Sequence, residues 1–164
     1  MKVRVQPVAL VWQAQVFAAL GEYIEAALAH SAQYEWTLGE LVQRCADDEF
    51  RMIAAVEDGP GPGRIIGCMV FSTTRRQDGQ RVLTMICAAG QAMDRWLDPA
   101  VQLLFSVARV EACSEIIVLG RRGWLRECAK YGLKLRAVVA AADVPEGPGI
   151  EHDLAAVLTG YGGE

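Results

Sequence analysis

The sequence predicts one α/β domain, a mixed central sheet of about six or seven strands covered by four helices. Three observations carry that prediction. The spacing of apolar residues changes from a helical period near the start to period-two and continuous apolar runs between residues 51 and 88, and then alternates between the two patterns. An Asp-Gly pair at 78–79 lies between two of those runs, where a tight antiparallel hairpin needs it. The chain has 164 residues, 52% hydrophobic and 22% charged, which suits a single folded core and excludes a disordered composition.

The first strand covers residues 3–5 and is ended by Pro7. A helix follows over residues 9–30, where Trp12, Val16, Ala19, Leu20, Tyr23, Ala27 and Leu28 recur three or four apart and share a face. Gly21 marks a place where this helix can bend. A second helix starts at Thr37, because Thr37-Leu38-Gly39-Glu40 has the spacing of a capping box. Leu38, Leu41, Val42 and Cys45 supply its apolar side. The acidic run Asp47-Asp48-Glu49 ends it, since negative charge is unfavourable at a helix C-terminus.

Strands are expected over 51–56, 64–74 and 81–88. The first two are separated by the Gly/Pro-rich loop 59–63 and the last two by the hairpin, which makes an antiparallel meander. A third helix is expected with Asp98 as N-cap and Pro99 at the first helical position. Val101, Leu104, Phe105, Ala108 and Ala112 line one side, and Leu103, Val107 and Val110 widen the stripe, as in a helix lying flat on a sheet. The run 116–119 reads as a strand buried on both faces. A fourth helix, 123–131, is stopped by Gly132 in a left-handed cap, and a further strand is expected over 135–141. The Pro/Gly-rich segment from 145 reads as a linker, with one more turn or strand over 151–161, so the organisation is a domain at 1–144 and an extension at 145–164.

The formal net charge of -4 offers no attraction to nucleic acid or to an anionic membrane surface, and neither is expected as a partner. No apolar run approaches the roughly 20 residues needed to span a bilayer, and MKVRVQPVAL does not have the form of a signal peptide. The five cysteines, Cys45, Cys68, Cys87, Cys113 and Cys128, lack C-x-x-C spacing and lie mostly in apolar runs, as buried small hydrophobes in a reducing cytoplasm. His30 and His152 are the two histidines, so no metal site is expected.

The order strand, helix, helix, three antiparallel strands, helix, strand, helix, strand resembles the GNAT (Gcn5-related N-acetyltransferase) fold over residues 1–144. The segment IIVLGRRGWLRECAKYGLKLRAVV has that family's strand, short helix and returning strand, with Cys128 to Leu133 in place of its Tyr-x-x-x-Gly-Phe-like element. The Gly-Arg-Arg-Gly-Trp wording also resembles small GNAT-like proteins of tailed phages. The resemblance implies that the parallel fourth and fifth strands splay apart to admit the pantetheine arm of acetyl-CoA. It implies that backbone amides before the third helix cradle the pyrophosphate, with glycines in a Gln/Arg-x-x-Gly-x-Gly/Ala signature, and that a tyrosine of the fourth helix protonates the leaving thiolate.

The segment Gly90 to Pro99 departs from that signature. Gly90 stands too early, Trp96 and Leu97 occupy the turn, Asp98 is expected to cap the helix with its own carboxylate, and Asp94 adds a second negative charge that Arg95 offsets if it points into the turn. Cys128 stands where the family's acid is expected, with Tyr131 one turn further on; each reads either as a proton donor or as a packing residue. If CoA binds, Cys87, Ala88, Arg95 and Arg122 are its expected contacts. Arg122, Arg126 and Lys130 form a basic stripe that reads either as a solvated face or, together with Trp96, as a surface for a partner. Asp47, Asp48 and Glu49 read as a solvated helix end or an attractor of a substrate amine.

The departures favour an expectation of a non-catalytic GNAT-fold scaffold: a phage virion or assembly protein without cofactor, contacting phage structural proteins or its own copies, in the host cytoplasm or in a virion. The alternative is a divergent acetyl-CoA-dependent N-acetyltransferase.

Overall fold

The apolar runs between residues 51 and 90 pair in an antiparallel meander. Strand β1 (Val3–Pro7) adds to its edge and β5 (Cys113–Val118) to the other, in the order β1-β2-β3-β4-β5, with β2 Arg51–Glu57, β3 Arg64–Arg75 and β4 Arg81–Gly90. All neighbours are antiparallel except β4 and β5, which are parallel because helix α3 (Leu97–Val110) crosses over between them. The remaining helices are α1 (Gln13–Ala29), preceded by a 3-10 turn at Leu10–Trp12, then α2 (Leu38–Ala46) and α4 (Trp124–Lys130). The structure is a computed structural model and describes residues 2–30, 36–118 and 124–134. Among them the sheet has five strands, not the six or seven expected. The strand expected over 135–141, the domain boundary at 144 and the extension 145–164 lie outside the described residues.

The sheet divides the core in two. On one face Val16, Leu20, Ile24 and Leu28 of α1 and Leu41 and Cys45 of α2 pack on Met52, Ala54, Cys68, Val70 and Ala89. On the other face Leu97, Ala100, Val101, Leu104 and Ala108 of α3 pack on Ile53, Ala55, Met69, Phe71, Leu83 and Met85. Local signals read from the sequence form as expected. Thr37 and Glu40 make a reciprocal capping box, and Gly79 closes the β3–β4 hairpin with its N–H on the Arg76 carbonyl. Gly132, at φ 77, ends α4 in a Schellman motif: Leu133 N–H bonds the Cys128 carbonyl and Gly132 N–H that of Ala129.

Several expectations are corrected. α1 runs unbroken through Gly21, and its buried face is Gln13, Val16, Leu20, Ile24 and Leu28, which leaves Trp12 and Tyr23 exposed. Val42 and Val110 are also exposed, so the stripes of α2 and α3 are narrower than their composition suggests. β5 starts at Cys113 and most of its residues are half-buried, not covered on both faces. α3 starts two residues early: Trp96 is its N-cap, which moves Asp98 and Pro99 inside the first turn.

Candidate active site

The C-terminal end of β4, the turn that follows it, the N-terminus of α3 and the end of α4 meet at one end of the sheet. The turn is built around a buried indole. Trp96 is 0% exposed, so it presents no surface to a partner, and the expectation that it does is corrected. Its ring lies on Gly67 of β3, where an added Cβ would come within 2.3 Å of it. Its Nε1–H donates to the Gln91 carbonyl at 2.8 Å, which satisfies the one polar atom of the ring.

Gly90 allows the chain to leave the sheet here. Its φ is +143, and a Cβ there would sit 2.3 Å from the Ile66 carbonyl oxygen; that oxygen accepts from Gln91 N–H at 2.7 Å. Ala92 then takes the left-handed conformation at φ 45, a strain of about 1–3 kcal/mol for a non-glycine residue. Gly67 on the neighbouring strand and the left-handed Ala92 thus let the turn close around the Trp96 ring. Gln91 is held from the opposite side as well, its Nε2–H donating to the Tyr23 hydroxyl of α1 at 2.7 Å.

Asp98 is not the N-cap of α3; that residue is Trp96, whose side chain makes no capping bond. The Asp98 carboxylate instead takes a hydrogen bond from the Tyr131 hydroxyl just beyond α4. Burial and this bond raise the Tyr131 phenol above its ordinary value, so it stays protonated at neutral pH. Burial, then Glu127, also raises the half-buried Cys128 thiol. Both candidate proton donors therefore lie on one short helical segment next to the start of α3.

Arg95 turns toward β2. Its Nη1 is 2.5 Å from Glu57 Oε1, and Arg64 Nη2 is 2.9 Å from Glu57 Oε2. The Glu57 side chain is only 4% exposed. Arg95, then Arg64, hold its carboxyl below the usual range, so it is an ionised, nearly buried carboxylate that ties the turn to β2 and β3. Sequence reasoning missed this group, although the alternation Ile53, Ala55, Glu57 places it on the α3 face.

Cys87 and Ala88 follow a bulge in β4. The register passes from Val70↔Cys87 to Phe71↔Met85, which leaves Ile86 as the extra residue. Ile86 and Cys87 consequently face the same side of the sheet. The last described β4–β5 pair is Met85↔Val118, so the bulge, which bends its strand, comes immediately beyond it. Burial pushes the Cys45 thiol up to about 11 and that of Cys87 to about 12, which leaves both unreactive.

In the proposed basic stripe, Arg126 and Lys130 are exposed, but Lys130 is paired with Glu127 of its own helix at 2.6 Å. Arg122 lies outside the described residues. A cavity of about 510 Å³ opens at the far end of the sheet, between Pro7, Leu10, Arg51, Leu103, Val107 and Val110, and shares no lining residue with the turn.

No protein-family model and no curated protein sequence matches the chain. Solved structures do match. Glucosamine-6-phosphate N-acetyltransferase from Arabidopsis thaliana superposes with a TM-score of 0.60 at 11% identity, covering 88% of this chain and 100% of that one. Ribosomal-protein-alanine N-acetyltransferase from Brucella melitensis biovar Abortus 2308 gives 0.56 at 14% identity, with 88% and 99% covered. An aminoglycoside acetyltransferase from an uncultured soil metagenomic sample, in complex with sisomicin, gives 0.62 at 10% identity, with 87% and 97% covered. The fold is that of the GNAT acetyltransferases. These neighbours correct the expectation of a non-catalytic scaffold, because many of the proteins that share the fold are named as acetyltransferases. The phage, virion and assembly reading receives no support from them.

Proposed function

We propose that the chain is an acetyl-CoA-dependent N-acetyltransferase. The observation that carries the reading is the bulge at Ile86, followed by a tight turn into a helix whose N-cap residue, Trp96, makes no side-chain capping bond. A bent strand exposes backbone groups that a flat ladder would use up. An uncapped helix N-terminus offers N–H groups and partial positive charge to a phosphate. The residues present fit acetyl-CoA in this respect: the backbone of Cys87 and Ala88 would lie along its pantetheine arm, and the amides of Leu97 and Asp98 would face its phosphates.

Acetyl-CoA, when bound, supplies an acetyl group already activated as a thioester. The chain's own contribution is positional and acid–base. Tyr131 holds a proton on its hydroxyl beside the N-terminus of α3; its raised value keeps it protonated across the neutral range and makes it a weaker acid than a free phenol. Asp98 orients the phenol, and the Schellman motif at Gly132 fixes the end of the helix that carries it. Cys128 stays protonated for the same reason of burial and packs one turn earlier.

The test is release of free thiol from acetyl-CoA in the presence of a panel of primary amines. The wild-type chain is expected to release thiol in an amine-dependent manner. Tyr131→Phe is expected to lower kcat by about 10²–10⁴-fold, the usual size of a lost general acid, and Cys128→Ala to change it little. A large loss in Cys128→Ala with none in Tyr131→Phe would reassign the acid, and no amine-dependent release at all would contradict the reading.

A further inference from the structure

At the far end of the sheet β1 gives out at Pro7, opposite Ile53, while β2 already begins at Arg51. The link that follows Pro7 turns away into α1, and the end of α3 passes on the other side. The cavity of about 510 Å³ lies between them, within the roughly 300–1,000 Å³ of small-molecule sites. Its walls are mostly apolar, with Val8, Leu10, Ile53, Phe71, Leu103 and Val107 among them. Most polar groups on the walls are committed elsewhere. Arg51 bonds Glu111 and Thr73 and stacks on the Phe71 ring at 5.0 Å. Glu111 is held by Arg51 and Arg81, and the Ser106 hydroxyl donates to the Gln102 carbonyl of its own helix. Gln13 is different. It is 6% exposed, and its carboxamide has no hydrogen-bond partner among the described residues. Among those residues no fully buried side-chain nitrogen or oxygen is left unpaired. The Gln13 carboxamide therefore reaches accessible space, and the space that Gln13 lines is the cavity. Gln13 also opens the buried stripe of α1, whose other members, Val16, Leu20, Ile24 and Leu28, are all apolar. A carboxamide at that place costs stability unless something bonds it.

We propose that this cavity is a binding site, separate from the turn between β4 and α3, for an uncharged and largely apolar small molecule that carries an amide edge. A carboxamide presents a donor and an acceptor side by side, which a second amide answers with two parallel hydrogen bonds. The apolar walls take the rest of the molecule. A charged ligand finds no buried opposite charge waiting for it, because Arg51 and Glu111 neutralise each other. Asp48 at the rim is exposed and adds negative charge, which acts against an anion. The inference does not depend on the acetyl-transfer reading. A Gln13 that served only the fold would behave differently on substitution, since its loss would then lower stability and leave binding at the cavity alone.

The experiment is an NMR titration of the full chain with benzamide and, separately, with benzoate, which keeps the ring and replaces the amide by a charge. Benzamide is expected to give saturable shifts of the Gln13 side-chain NH2 and of the Leu103 and Val107 amides. Benzoate is expected to bind more weakly at the same place. Gln13→Met keeps the length of the side chain and removes the amide. It is expected to bind benzamide about five- to tenfold more weakly, the size of one net hydrogen bond between neutral groups. It is also expected to unfold at a higher urea concentration than the wild type, because an unpaired amide has been replaced by an apolar chain. Four results would overturn the proposal: no saturable shift in the wild-type chain, shifts confined to residues away from the cavity, benzoate binding as tightly as benzamide, or undiminished benzamide binding in Gln13→Met. A lower urea midpoint in Gln13→Met, or its failure to fold, would do so as well, by showing that Gln13 serves the fold. The wild-type titration stands without the variant, and none of these readouts requires that the chain acetylate an amine.

Discussion

At the scale of single residues, the turn depends on a large side chain matched to a missing one. Trp96 fills the space that any side chain at position 67 would need, with 2.3 Å between the ring and a built Cβ. Gly67→Ala is therefore expected to cost about 1–3 kcal/mol through overpacking. Trp96→Ala is expected to cost about 3–5 kcal/mol through the cavity it leaves. The two share one volume, so Gly67→Ala combined with Trp96→Ala is expected to be more stable than the sum of the single losses implies. Urea unfolding of the three variants measures this, and strictly additive losses would show that the indole can move off Gly67 at no cost.

At the scale of elements, what the sequence made legible was whatever a few neighbouring residues decide among themselves. The capping box of Thr37 and Glu40, the Asp78-Gly79 hairpin and the cap at Gly132 are such cases, and each stands where its signature placed it. The bulges were not legible. β3 and β4 are buried on both faces over most of their length, so their sequences are continuously apolar and carry no alternation from which an extra residue could be detected. Ile66 is the second such residue, where the register passes from Ala55↔Gly67 to Val56↔Ile65. The start of α3 was misplaced for a related reason: Asp98-Pro99 has the form of a cap and first position, but burial of Trp96 draws the helix back by two residues. That displacement matters to the site, because an Asp98 that capped the helix would occupy the amides a phosphate needs. Tyr131 bonded to Asp98 and Arg95 bonded to Glu57 are contacts between distant elements, which no local pattern contains.

At the scale of the whole molecule, judging the site by its missing glycines led to the expectation of an inert scaffold. The turn is built instead on Gly90, the left-handed Ala92 and a buried Trp96 packed on Gly67, and the fold is shared with acetyltransferases along nearly the full length of those proteins. The ion pairs that join the elements also set the response of the fold to acid. Glu57 is held low by Arg95 and Arg64, and Glu111 by Arg51 and also Arg81. Their folded values lie below the unfolded one, so their contribution is present above about pH 4.3 and is lost as pH falls through the folded values. The urea midpoint is expected to drop steeply below about pH 4, and less steeply in Glu111→Gln; an acid limb identical in that variant would remove Glu111 from the account. The central claim is that the turn from Gly90 to Asp98 receives acetyl-CoA, and an amide NMR titration of the wild-type chain with acetyl-CoA tests it most directly. The account expects saturable shifts centred on Cys87, Ala88, Leu97 and Asp98. Unmoved amides there at millimolar acetyl-CoA, or shifts confined to the cavity at Leu103 and Val107, would contradict it.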